Sequence, residues 1–123
     1  METVNQIDTK FLTADVFYKV VNVEKESVKV VKVISDIRCN PEKSHNELGE
    51  LMFMRFNHPY KNPLGTPEGQ KHIREVGSNH TSMSVGDSIV FSDGVQIWVD
   101  EEGFSDKEVI TYREERIAES KNK

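Results

Sequence analysis

The residue types that could do chemistry are few and scattered along the chain. Four histidines, His45, His58, His72 and His80, form no HExxH pair, and the one cysteine, Cys39, has no CxxC partner. Neither a helix-borne imidazole pair nor a thiolate-rich zinc site can therefore be read from spacing. A metal centre would have to be assembled by folding, from distant histidines with Asp87 or Asp93; surface or loop histidines are the simpler reading, and no metal or cofactor is expected. Cys39, beside Asn40-Pro41, reads as a partly buried spacer, since a reactive thiol needs a nearby cation such as Arg38 to lower its pKa. Phosphate-cradling loops are missing as well. Neither GxxxxGK[ST] nor GxGxxG occurs, and Gly65-Thr66-Pro67-Glu68-Gly69 carries a proline that removes one amide donor. Asn79-His80-Thr81 spells a glycosylation sequon, but with no secretory signal read at Met1–Lys10 it is expected to match by letter only.

One polar run stands out. In Ser78–Asp87 (SNHTSMSVGD), seven of ten side chains can hydrogen-bond locally, and the run leads directly into a strand pattern. On a structural reading, His80, Thr81 and Ser82 satisfy backbone groups of an irregular strand while Gly86 and Asp87 make a turn. On a functional reading, Asn79, His80, Thr81, Ser82, Ser84 and Asp87 line a ligand or partner site, with Arg74 as anion anchor and Trp98 as stacking platform. Arg55 could join such a site, and Trp98 could equally be core. An enzyme would need a pair such as Asp87 and His80 converging in a cleft with perturbed pKa values; no catalytic residue is assigned.

These residues must be positioned by strands and helices. Val16–Ile34 is rich in β-branched residues and broken by Glu24-Lys25-Glu26-Ser27, which predicts a hairpin. In its second strand Val28, Val30 and Val33 read as an apolar face and Lys29 and Lys32 as a solvated one; Cys39-Asn40-Pro41 ends the unit. Ser44–Phe56 predicts a helix, with Ser44 and Glu47 as capping box and Leu48, Leu51, Met52 and then Met54 or Arg55 at helical spacing. Gly49 argues against it, and a short strand over Leu51–Phe56 is the alternative. Residues 57–69, with Pro59, Pro63, Pro67, Gly65 and Gly69, read as irregular loop, and Gln70–Val76 as a helical turn ended by Gly77. A second hairpin follows, Ser88–Phe91, Ser92-Asp93-Gly94 and Val95–Val99, with Val95, Ile97 and Val99 on one face and Gln96 and Trp98 on the other. Ser105 and Glu108 have capping-box spacing for a helix over 105–119, with Val109, Ile110, Tyr112, Arg113 by its stem and Ile117 as its apolar positions. The fold expectation is a single α+β domain over residues 1–119. It is a small antiparallel sheet or partly open barrel with two or three helices packed on it, followed by a frayed tail at 120–123.

With 123 residues the chain has room for one core. It contains no stretch approaching the ~20 apolar residues of a membrane span, and Met1–Lys10 lack the basic-then-apolar order of a secretory signal, so a cytoplasmic protein without membrane contact is expected. Its net charge of −5 is local: residues 1–75 balance, and the excess lies in residues 76–123. An acidic end repels phosphate backbones, which disfavours duplex DNA, although Arg38, Arg55, Lys61, Lys71 and Arg74 could hold a small anion. Strand edges and Met52, Phe53 and Met54 are compatible with a homodimer.

The block NHTSMSVGDSIVFSDGVQIWVDEEGF, residues 79–104, resembles a module of small uncharacterised proteins of bacteriophages and mobile elements, and is similar to segments of proteins termed YodL-like. The likeness is specific in His80–Asp87 and Gly103-Phe104 and loose between them. It implies a phage or mobile-element origin and, by association, an accessory factor that binds a host protein or defence component in the host cytoplasm. That family carries no established catalytic residue to place here. The phrase Ser84–Phe91 is also similar to the strand entry of PUA and ASCH barrels, some of which bind RNA or modified nucleotides. The expected function is thus a non-enzymatic host-protein binder, with the acidic 87–119 region as contact. The alternative is a small-molecule or nucleotide-binding domain, sponge-like or PUA/ASCH-like.

Overall fold

The computed structural model describes residues 11–121. The readings of Met1–Lys10 and of residues 122–123 lie outside the described residues. β1 (Leu12–Asn22) and β2 (Ser27–Cys39) form an antiparallel hairpin, longer than the expected 16–34 unit. The Glu26 N–H donates to the Val23 carbonyl at 3.2 Å across its turn. The sheet continues through β3 (Ser88–Phe91), β4 (Gln96–Asp100) and β5 (Gly103–Ser105), in the order β2-β1-β3-β4-β5 and antiparallel throughout. Helices α1 (His45–Phe56), α2 (Pro67–Val76) and α3 (Tyr112–Lys121) pack on it. The fold is α+β, as expected. The barrel alternative gives way to an open sheet, because the end strands β2 and β5 do not pair with each other.

Cross-strand partners share a face, so the pairing fixes which residues are core. Ala14, Val16 and Tyr18 stand beside Ile37, Ile34 and Val31 of β2, and Ile89 and Phe91 of β3 extend that face to Ile97, Val99 and Phe104. Leu48, Met52 and Phe56 of α1 and Ile73 of α2 cover it. Here the expected pattern of β2 is corrected. Val28 and Val30 are exposed, Val30 at 55%, while Val31 and Val33 enter the core. Pairing decides this: Tyr18 is opposite Val31 and Val20 opposite Lys29, which puts Lys29 on the helix-bearing side. There its ammonium lies against Gly77, at the C-terminal end of α2, where the helix dipole favours a cation. Two bulges in β2 then shift the register between Ala14 and Phe17, so a single alternation cannot run the length of the strand.

α1 has the predicted capping box: Ser44 Oγ accepts from the Glu47 N–H and Glu47 Oε1 from the Ser44 N–H, each at 3.1 Å. Its buried face, however, is Leu48, Gly49, Met52 and Phe56, whereas Leu51 and Met54 are exposed. Gly49, the residue that argued against a helix, is where α1 approaches the sheet. A Cβ there would lie 2.8 Å from Ile97 Cδ1 and 2.9 Å from Phe104 Cζ. Of the expected loop, residues 57–66 are irregular apart from a 3₁₀ turn at Pro63–Gly65, and α2 already begins at Pro67. Proline needs no amide partner in a first helical turn, and the Thr66 hydroxyl caps Gly69. Gly77, at φ 89°, ends α2 as predicted.

α3 starts later than expected. Thr111, not Ser105, caps it: the Glu114 N–H donates to Thr111 Oγ1 (3.2 Å) and the Thr111 N–H to Glu114 Oε1 (3.0 Å). Ser105 belongs to the unforeseen strand β5, and Glu108 is drawn away to Lys19. Ile117 is the buried residue of the helix, which runs on through Ser120 to Lys121.

Candidate functional site

β3 pairs with β1 only from Ala14 to Phe17. Beyond that point the amide and carbonyl of Lys19 need other partners, because unpaired buried backbone groups are costly. The polar run supplies them with side chains. Asp87, 1% exposed, accepts the Lys19 N–H on Oδ1 and the Ser84 N–H on Oδ2, both at 2.7 Å. His80 Nε2 faces the Lys19 carbonyl at 3.3 Å and Nδ1 the Ser82 carbonyl at 2.9 Å, and the ring stacks on Tyr18 with centroids 4.6 Å apart. A neutral ring donates to one of these carbonyls, a protonated ring to both. The Tyr18 hydroxyl donates to the Thr81 carbonyl at 2.8 Å. From the preceding loop, Asn62 Nδ2 reaches the same carbonyl at 3.0 Å, and Asn57 Nδ2 the Met83 carbonyl at 3.1 Å.

Burial pushes the Asp87 carboxyl up to about 7, against the lowering pull of its two amide donors, His80 and Lys19. Burial, with the Asp87 charge beside it, likewise raises the Tyr18 phenol above its ordinary range. The segment is a side-chain substitute for a missing strand. Gly86 makes the turn into β3 at φ 95°, with its N–H on the Val99 carbonyl at 2.9 Å. A Cβ there would sit 2.6 Å from Thr111 Cγ2.

The expected site residues separate accordingly. Arg74, Asn79, His80, Thr81 and Ser82 do share a shallow concavity of about 470 Å³ beside α2. Ser84 lines a neighbouring one with Asn79 and His80, and Asp87 lies behind both as a buried acceptor. Trp98 lines none of these hollows. It is half-buried on the opposite face of the sheet, paired with Ser88 and Ser105, so it is not a platform over His80. Arg55 is exposed on α1 and lines none of them either. Among the described residues no three His, Cys, Asp or Glu side chains converge as metal ligands. Burial raises the Cys39 thiol, the opposite of an activated cysteine.

A comparison with protein-family models, curated proteins and solved structures finds no match to the chain. Among the described residues no helix is long and apolar enough to cross a membrane.

Lys19 is the residue that sequence reading missed. Its side chain, 2% exposed, crosses to the second face of the sheet. There its ammonium donates to Glu114 Oε1 (2.7 Å), the Val109 carbonyl (2.9 Å) and Glu108 Oε2 (3.2 Å). All three ammonium protons are used, and the 108–114 segment is tied to β1. No local motif announces this, since the partners lie about ninety positions away.

A different surface is concave and mainly apolar. Between α1 and the β4–β5 hairpin runs a groove of about 350 Å³, lined by Phe53, Met54, Val99 and Phe104 and edged by Glu50, Asp100 and Glu101. Met54 is 68% exposed at its lip. The groove exists because Gly49 lets α1 sit against Ile97 and Phe104, leaving the next outward residues of the helix over the hairpin.

Proposed function

We propose that the chain is a non-enzymatic accessory protein that binds a host protein through the groove between α1 and the β4–β5 hairpin. The observation that carries this reading is the pairing of an apolar floor with a carboxylate rim. The occupant that fits is a segment presenting one apolar side chain between lysines or arginines, the apolar group entering against Phe53, Met54 and Phe104 and the cations meeting Glu50, Asp100 and Glu101. The groove belongs in part to the acidic third of the chain, where the −5 charge is concentrated.

Two further observations support the reading. The His80–Asp87 pair is spent on backbone: both carboxylate oxygens accept amides and both ring nitrogens face carbonyls, so neither group is free to act as general base. The resemblance of residues 79–104 to phage and mobile-element proteins favours a host partner. The nucleotide-binding alternative loses its base platform with Trp98 on the other face.

A photo-crosslinking residue placed at Met54 in the full chain, with Lys71 as control position, tests this in bacterial lysate. A protein adduct formed at 54 and not at 71, weakened at least tenfold by E50K/D100K and by 0.5 M salt, is the expected result. Equal adducts from both positions, or indifference to the charge reversal, would overturn it.

A further inference from the structure

We infer that the concave strip around Asn79, between the last turn of α2 and the first turns of α3, binds a compact polyanion of the pyrophosphate type. Three adjoining hollows share Asn79: one carries Arg74, one Arg113, and one both Arg113 and Arg116 with Asn22. Among the described residues none of these three guanidinium groups forms an ion pair or a side-chain hydrogen bond, and neither does the Asn79 amide. In a chain of net charge −5, three arginines without a partner among the described residues gather around one amide, a concentration of positive charge that would attract an anion.

Glu114, the acid of α3 nearest the sheet, is held by Lys19 and by the Thr111 amide. Glu115 lies around the helix from Arg113 by its 3.6-residue period, whereas Glu119, three positions after Arg116, shares that arginine's face and bounds the strip on the far side. Glu24 stands at the rim of the Arg113–Arg116 hollow and sets a limit on how far an anion can extend toward the β1–β2 turn.

The chemistry selects the ligand class. Arginines present planar forks that match phosphoryl oxygens in pairs, and Arg113 and Arg116, three positions apart on one helix, can grip adjacent oxygens of one group. Arg74 lines the adjoining hollow, which shares Asn79 and His80 with that of Arg113, and would take a second group there; Asn79 and Asn22 add amide donors. No aromatic side chain lines the strip apart from the His80 ring, which is already stacked on Tyr18, so the site reads linked phosphoryl groups rather than a base. This strip shares no residue with the apolar groove, and its test is independent of the host-protein reading.

The probe is inorganic pyrophosphate in low-salt buffer, followed by calorimetry and by the Asn79 side-chain amide resonances. Saturable binding that shifts those resonances is expected. It should weaken at least tenfold in R113Q/R116Q and severalfold in R74Q, while the unliganded melting temperature is unchanged because all three side chains are exposed. Potassium chloride at equal ionic strength should leave the resonances in place. No binding at millimolar pyrophosphate, the same affinity in R113Q/R116Q, or the same response to chloride would overturn the inference.

Discussion

Replacing Lys19 by methionine is the sharpest test of how the two faces of the sheet are held together. Methionine keeps the length and apolar stem of the side chain, so the volume between β1 and the 108–114 segment stays filled. It removes the charge that Glu114 and Glu108 face and the proton that the Val109 carbonyl accepts. Glu108 is more than half exposed and returns to water at little cost, but the Glu114 side chain is only 12% exposed and keeps a single partner, the Thr111 amide. Breaking a buried ion pair by deleting one partner costs about 3–5 kcal/mol. That is a large share of the roughly 5–15 kcal/mol that stabilises a domain. At about 4 °C per kcal/mol for a chain of this size, the melting temperature should fall by about 12–20 °C.

Urea unfolding at pH 7 reads the loss directly, and a K19M/E114Q double variant reads the coupling. With the glutamate neutralised, the double variant should be more stable than the sum of the two single losses requires. The pH dependence has a defined sign. Burial pushes the Glu114 carboxyl up, but Lys19 and the Thr111 amide outweigh it and hold the group below its ordinary range. Its contribution is therefore present above the unfolded carboxylate range and disappears as pH falls through the lowered folded value. A K19M protein within about 1 kcal/mol of the parent, or strictly additive single and double losses, would refute the reasoning.

Three other outcomes follow from the same structure. Asp87, with its folded value raised to about 7, holds a proton in the folded state that the unfolded chain releases near its ordinary value; its contribution is greatest in acid and is lost as pH rises through about 7. The carboxyl carbon of Asp87 should titrate near that value by NMR, and a midpoint below 5 would contradict the assigned balance of burial over hydrogen bonding. Gly86→Ala should cost about 2 kcal/mol or more in urea unfolding, since the side chain meets both a positive φ and the Thr111 methyl. Gly49→Ala should destabilise by about 1 kcal/mol despite better helix propensity, because the new methyl must displace Ile97 and Phe104. A stabilised variant with unmoved Phe104 resonances would show that the contact is slack.

Much of this fold could be read locally. The start of α1 is written in the Ser44–Glu47 capping box, although the apolar spacing after it leaves a strand over Leu51–Phe56 open and counts the exposed Leu51 and Met54; the Ser92-Asp93-Gly94 turn and the alternation of Gln96–Val99 define the second hairpin; Gly77 marks the end of α2. Each depends on residues within a few positions of one another, where turn geometry and capping act. The errors share a cause of the opposite kind. Val28 and Val30 look like a core face until β1 sets the register, and Ser105 looks like a cap until β5 claims it and Lys19 draws Glu108 away.

The sequence by itself determined that Ser78–Asp87 would be a polar segment entering a sheet, because seven of its ten side chains carry hydrogen-bonding groups that need partners. Only the tertiary structure decided what those side chains are for. β3 is too short to pair the edge of β1 beyond Phe17, so His80 and Asp87 take its place, and Trp98 falls on the other face of the sheet. The two surfaces proposed for binding, the Phe53–Phe104 groove and the arginine strip around Asn79, join side chains from segments far apart in the chain. Proximity of that kind is created by packing, which no local pattern encodes.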